Sequence, residues 1–239
     1  ADVQLACAEA GLVVVALPPL ATAAILPSLA TFCNDRAVIT DVASVKGNVV
    51  EAAEKLPADF ASRFVPGHPI AGSEKSGYLA SNAVLFAKRN IILTPLANNS
   101  SGSLRLVSAM WRALDANMLA MSVKHHDEVL AATSHLPHLL AYSIVDVLAK
   151  QEKSGDIFRY AAGGFADFSR LASSDARMWS DIFVANRTAS AEVLGAMIVE
   201  LQALKTALES SPDERLSMDL RTLFAHAKET REAFINTHF

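Results

Sequence analysis

The spacing of apolar residues changes character about two-fifths of the way along the chain. Near the start, Gly11 is followed by the continuous run Leu-Val-Val-Val-Ala-Leu. An unbroken β-branched run of this length predicts a strand over 12–17 covered on both faces. Pro18-Pro19 forms the turn after it, and an apolar helix is expected over 20–32. A second short β-branched run occupies 37–41. Residues 44–56 then place Val45, Val49, Val50 and Ala53 on one helical side. Phe64-Val65 leads into Pro66-Gly-His-Pro-Ile70, a polar loop runs to Gly77, and residues 90–94 form a third clear strand ended by Pro95. Strands separated by helices of this length imply parallel pairing and an α/β layer.

After residue 100 the strand signal fades and apolar residues recur every three or four positions. One helix is expected over 127–150, interrupted at Pro137. Ser174-Asp175 resembles an N-cap for a long helix running to about 209, along which Leu194, Ile198, Leu201, Leu204 and Leu208 form one stripe. Ser210-Ser-Pro-Asp213 breaks the pattern, and a last helix is expected over 214–234. The pattern therefore predicts an α/β domain over 1–100 and an all-helical domain over 101–239.

Composition narrows the class. Hydrophobic residues make up 51% of the 239, and the formal net charge is only -4, which excludes intrinsic disorder. The 21 basic residues face 25 acidic ones with no basic run, so nucleic acid is not an expected partner. About forty alanines favour helix and close helix packing. The stretch from Ala10 to Asn34 carries no charge and is long enough, at roughly 25 residues, to span a bilayer. Pro18, Pro19 and Pro27 interrupt it and no basic cluster precedes it, so neither a membrane span nor a signal peptide is expected. The two cysteines, Cys7 and Cys33, match no zinc or redox motif and read as buried thiols of a cytoplasmic protein.

Four segments hold polar residues that packing does not ask for. Asp41, Ser44 and Lys46 follow a predicted parallel strand, the position where α/β sheets bind ligands; Ser44 could equally cap its own helix. His68 lies between a Gly and a Pro, a rigid setting suited to a general base. His125-His-Asp127 and Ser134-His-Leu-Pro-His138 put histidines on an otherwise Leu/Ala-rich helix, with residues 134 and 138 one turn apart. The stretch from Gly163 to Trp179 carries Asp167 and Arg170 on one face, and Arg170 is the best anchor for a carboxylate. A helical metal-dependent phosphohydrolase would use such histidines too, but no Cys or Glu completes a ligand set, so no metal is expected.

Together these stretches resemble the prephenate/arogenate dehydrogenase family of tyrosine biosynthesis. The matching runs are LVVVALPP (12–19), TDVASVKG (40–47), PGHPIAGSEKSG (66–77), HHDEVLAATSHLPH (125–138) and GGFADFSRLASSDARMW (163–179). The resemblance implies a Rossmann-like parallel sheet followed by a helical substrate-binding and dimerisation domain. It implies oxidative decarboxylation of prephenate or arogenate with NAD or NADP, tyrosine as a feedback inhibitor, and a homodimer. It also implies roles. His68 accepts a hydrogen bond from the substrate hydroxyl, assisted by Ser44. Arg170 anchors a substrate carboxylate, with Ser134 and His138 near the side-chain end. Glu74 sits on a loop over the site, Gly163 and Trp179 support the pocket, and Pro18, Asp41 and Ser73 contact the cofactor.

One departure stands out. The family's dinucleotide domain opens with a Gly-x-Gly-x-x-Gly turn, and here Gly11 is isolated and the next glycine is Gly47. The chain is therefore expected to be a fragment lacking roughly 70 to 90 residues, the size of the missing βαβ units. A non-catalytic module that binds an aromatic acid or serves only for dimerisation is the competing expectation. A β-hydroxyacid-type dehydrogenase is less favoured, because Ser134 and His138 stand where that class typically carries a catalytic Lys.

Overall fold

The computed structural model describes residues 2–72 and 78–238. Ser73 and Glu74, expected at the cofactor and the substrate, lie outside the described residues. The chain divides into two compact units, Ala1–Ala191 and Glu192–Phe239.

The first unit opens with α1 (Val3–Ala8), β1 (Leu12–Val15), α2 (Pro19–Phe32) and β2 (Val38–Asp41). It continues with α3 (Gly47–Glu54), α4 (Ala58–Arg63) and β3 (Phe64–Val65). The three strands pair in parallel in the order β1-β2-β3, with Val15 opposite Asp41 and Ile39 opposite Phe64. All four residues of β2 are buried, as a central strand covered on both faces requires. The pleat sends alternate side chains to opposite cores. Ile39 joins Leu26, Leu29, Ala53 and Phe60 under the helices on one face. Val38 joins Val65, Ile91, Leu93, Val107 and Trp111 on the other. Each fully buried aliphatic or aromatic side chain contributes about 1.5–3 kcal/mol, so these two layers carry most of the driving force for the α/β part.

The strand after β3 changes partner at Pro66, which has no N–H for a ladder. β4 (Gly67–Pro69) pairs antiparallel with β5 (Asn90–Leu93), and β5 pairs in parallel with β6 (Asn117–Ala120), which follows α5 (Ser101–Ala113). Two expectations are corrected here. Pairing is not wholly parallel, because residues 70–89 supply no long crossover helix among the described residues. The strands also run past residue 100 to Ala120, in a second three-stranded sheet of order β4-β5-β6. β6 escaped notice because its Asn-Met-Leu-Ala sequence is short, weakly β-branched and mostly exposed.

The helical part of this unit comprises α6 (Val123–Leu130), a π-helical turn (Ala131–His135), α7 (Leu136–Ala149), α8 (Ser154–Arg159), α9 (Gly163–Ser169), a 3-10 turn (Arg170–Ser173) and α10 (Ala176–Ala185). The interruption expected at Pro137 is a π-turn just before it, in which the Leu136 N–H reaches back to the Ala131 carbonyl. Asp175 caps α10 by accepting from the Met178 N–H, but the long helix expected to follow ends at Asn186. There α10 and α11 (Arg187–Ser210) bend by 95°. Among the described residues no single helix is long and apolar enough to cross a membrane.

The second unit holds the rest of α11 and α12 (Asp213–His238), separated by the expected break at Ser211-Pro212. Its apolar stripe is bare: Ile198 is 53% exposed, Leu208 64% and Phe224 61%.

Candidate active site

The site forms at the carboxyl end of β2, where parallel sheets bind their ligands. Asp41 ends that strand and is fully buried. Its Oδ2 accepts from the Ala43 N–H at 3.0 Å and from the Lys46 ammonium, and its Oδ1 accepts from the Gly67 N–H at 3.2 Å. Lys46 is also fully buried and donates to the Gly67 carbonyl at 2.6 Å. Burial pulls the Lys46 pKa down, against the opposing pull of Asp41 and Asp127. This ion pair ties the loop after β2 to the residue preceding His68, and so sets where the imidazole stands. Asp41 was expected at the cofactor. It is instead consumed inside the protein, with both oxygens taken.

His68 lies on β4 opposite Ile92 and is half-buried. Its Nδ1 is 2.9 Å from Nε2 of His126, and His126 Nδ1 is 2.7 Å from Oδ1 of Asp127. Burial, then the neighbouring His126, Lys46 and His135, hold the His68 pKa well below its ordinary value. The imidazole is neutral at physiological pH.

Asp127 also accepts the backbone N–H groups of Lys46 at 2.9 Å and Gly47 at 2.8 Å. A carboxylate from α6 thus caps the N-terminus of α3, a favourable place for negative charge. Ser44 is not that cap, and the helix expected from 44 begins at Gly47. A Cβ on Gly47 would stand 2.8 Å from Oδ2 of Asp127, so only glycine admits this contact. Burial pushes the Asp127 carboxyl up, but the bonds from His126, Lys46 and Gly47 outweigh it and hold it below its usual range.

On the far side, the Asn186 amide donates to the Asp127 carbonyl at 2.8 Å and to Nδ1 of the buried His135 at 3.2 Å. This explains the helix break: Asn186 leaves the helical path to tie α10 to α6 and the π-turn. Burial, against the pull of Asp127, lowers His135 to about 4.

His138 donates from Nδ1 to the Ser134 carbonyl at 2.9 Å, and its ring stacks on Trp179 with centroids 3.7 Å apart. Burial, with the Arg170 charge adding to it, lowers the His138 pKa. Trp179 packs with Val45, beside the half-buried Ser44, and meets His135 edge-on at 6.0 Å. Arg170 is exposed on the 3-10 turn that packs against α7, and Gly163 is exposed at the start of α9. Pro18 stands exposed at the head of α2, beyond the end of β1.

Of the residues expected from sequence, the fold thus groups Ser44, His68, Ser134, His138, Trp179 and Arg170 around these helices and strand ends. His126, Asp127 and His135 stood out in sequence only as polar residues without a packing reason, with no sign of which partners they take, and Asn186 carried no signal at all. Among the described residues no group of three or more His, Cys, Asp or Glu side chains is placed to hold a metal ion.

A Rossmann-like parallel sheet, a half-buried histidine on the strand that follows it, and helices beyond make a nucleotide-binding type of α/β architecture. Comparison with known proteins makes this specific. Residues 1–120 match the family model for the prephenate dehydrogenase nucleotide-binding domain, and residues 122–222 match that for the prephenate dehydrogenase dimerization domain. A cyclohexadienyl dehydrogenase of Zymomonas mobilis is 35% identical over 97% of this chain and 77% of its own length. A Bacillus subtilis prephenate dehydrogenase is 35% identical over 90% of this chain and 58% of its own. The structure of Aquifex aeolicus prephenate dehydrogenase with hydroxyphenyl propionate and NAD+ superposes with a TM-score of 0.81 at 34% identity, over 92% of this chain and 76% of that one. The chain belongs to the prephenate dehydrogenase family.

Proposed function

We infer that this chain carries the active site of an NAD(P)-dependent dehydrogenase that oxidatively decarboxylates prephenate to 4-hydroxyphenylpyruvate, or arogenate to tyrosine. The observation that carries the reading is His68: an imidazole kept neutral by burial and by its neighbours, fixed at the mouth of the sheet. The relatives' names supply the substrate class.

The strand ends fit the nicotinamide half of the cofactor. β1 and β2 finish side by side, Leu17 and Pro18 stand exposed there to hold the flat ring, and Ser44 follows three residues after the end of β2. When bound, the nicotinamide supplies the hydride acceptor. His68 takes the hydrogen bond from the ring hydroxyl and receives its proton as the carbon beneath is oxidised. The ring carboxylate leaves as CO2, its bonding pair makes the ring aromatic, and His68 returns the proton to the oxygen, giving the phenol. No net proton is consumed. Ser44 steadies the hydroxyl and the imidazole, and Arg170 anchors a carboxylate through its planar fork. Ser134 and His138 meet the side-chain end, and Trp179 walls the pocket. Ser73, Glu74 and Gly163 are assigned to the cofactor, the gate and the substrate from their place in the family's motifs.

The bare stripe of α11 and α12 is the surface a second copy would cover, making a homodimer. This reading agrees with the name of the matching domain model. The free buried thiols Cys7 and Cys33 suit the reducing cytoplasm.

The test is His68→Asn, assayed by nicotinamide reduction with prephenate and with arogenate. General-base catalysis contributes about 10^2–10^4-fold, so kcat should fall by that factor while KM changes little. An unimpaired variant would remove His68 from the mechanism.

A further inference from the structure

Besides the groups that meet substrate, two side chains stand behind the base: His126, and Asp127, which also caps α3. We propose that His126 and Asp127 are positioning residues that together hold the His68 proton on Nδ1, leaving Nε2 as the basic nitrogen. The proposal rests on the reading of His68 as the base.

The argument is one of donors and acceptors. Asp127 takes three hydrogen bonds: the N–H groups of Lys46 and Gly47 at 2.9 and 2.8 Å, and His126 Nδ1 at 2.7 Å. A carboxylate that receives two backbone N–H bonds at a helix N-terminus stays ionised and can only accept. His126 must therefore donate from Nδ1. In a neutral His126 the lone pair is then on Nε2, and this nitrogen lies 2.9 Å from His68 Nδ1. Two lone pairs cannot face each other at that distance, so His68 supplies the proton there. Its Nε2 is left with the lone pair. A neutral histidine has two tautomers, and the one set by its neighbour decides which nitrogen can act.

The alternative, a charged His126 paired with Asp127, would donate from Nε2 to His68 and put the His68 proton on Nε2, the arrangement that would overturn the proposal. The charged or titratable groups that face His68 among the described residues are His126 from α6, Lys46 from the loop after β2, and His135 from the π-turn. None of the three is acidic. Asp127 acts on His68 only through the His126 ring, an arrangement that favours one tautomer without drawing a permanent proton onto the base. When His68 is transiently protonated, its Nδ1–H bond to His126 strengthens, with the Asp127 carboxylate behind it.

Nitrogen-15 NMR of the imidazole groups in the chain near neutral pH reads the tautomer without any turnover. His68 should carry its proton on Nδ1. In His126→Phe, which keeps a ring but removes the acceptor, the proton should move to Nε2, the site an isolated histidine prefers. In that variant kcat should drop by about 10–100-fold with KM within about two-fold, the pattern of a wrong tautomer at a correctly placed base. His126→Gln offers an amide oxygen near the position of the lost nitrogen and should regain at least about ten-fold of any larger loss. A parent His68 protonated on Nε2 would overturn the proposal, as would an unchanged kcat in His126→Phe or equal losses in the Phe and Gln variants. Undiminished turnover by His68→Asn would instead bring down the base reading, and this proposal with it, even with the expected tautomer observed.

Discussion

The imidazole of His68 hangs from the buried Lys46 and His126 and the half-buried Asp127, whereas Arg170 lies exposed on a turn next to a helix with no buried residue. In the proposed reading these are the base and the anchor of one site, and the two are built on opposite principles. A base must be neutral, dry and aligned before substrate arrives, because it works only in the transition state. Its surroundings are therefore largely part of the core. A carboxylate anchor works in the ground state as well. Burying a guanidinium deeply costs several kcal/mol, and an exposed position keeps it within reach of an arriving anion. Rigidity is concentrated where chemistry happens, and accessibility where binding begins.

Three measurements would break or sharpen this contrast. The largest effect is expected at the base end. Lys46→Met leaves Asp41 buried without its cation and should destabilise the protein by about 3–5 kcal/mol in denaturant unfolding. A loss below about 1 kcal/mol would show that the ion pair does not support the loop.

Next comes acid. His135 is held at about 4 in the folded chain, against about 6.5 when unfolded. Above pH 6.5 both states are neutral there and stability does not change on its account. As pH falls from about 6.5 toward 4, the unfolded chain takes up a proton that the folded chain refuses. Stability is therefore lost by roughly 3 kcal/mol from this group alone. His68 and His138, also lowered, push the same way. Unfolding at pH 7 and pH 4.5, with His135→Gln as control, should show a shallower slope in the variant.

The smallest structural effect belongs to the anchor. Arg170→Ala should raise KM by about 10–100-fold, the worth of a charge-assisted bond, while stability moves by less than about 0.5 kcal/mol. A large fall in stability would mean that the two ends are not so different.

Much of this was legible from sequence where the cause is local. The β-branched β2 and the Ile-Ile-Leu of β5 announce themselves, because strands buried on both faces need such residues, whereas the Val-rich β1 ends at Val15 and leaves Val14 exposed instead of being covered on both faces to residue 17. Ser44, His68, Arg170 and the helical histidines stood out as polar residues without a packing reason. What stayed hidden acts across distance. The α3 cap comes from Asp127, 80 residues away, and apolar spacing continues smoothly over Asn186 although the helix bends there. Asp41 looked like a ligand contact because the strand end is right. Nothing local reveals that Lys46 and Gly67 occupy both of its oxygens.

The π-turn at Ala131–His135 also changes how the helical histidines can be moved. An α-helix advances about 100° per residue, so one extra residue in a turn puts the helices on either side out of phase by about that angle. α6 and α7 thus behave as one rod with two phases. The first phase aims His126 at His68, and the second lays His138 on Trp179. Because the bulge separates them, drift in one face need not be copied into the other. Base and pocket can be retuned independently on what reads, in sequence, as a single helix.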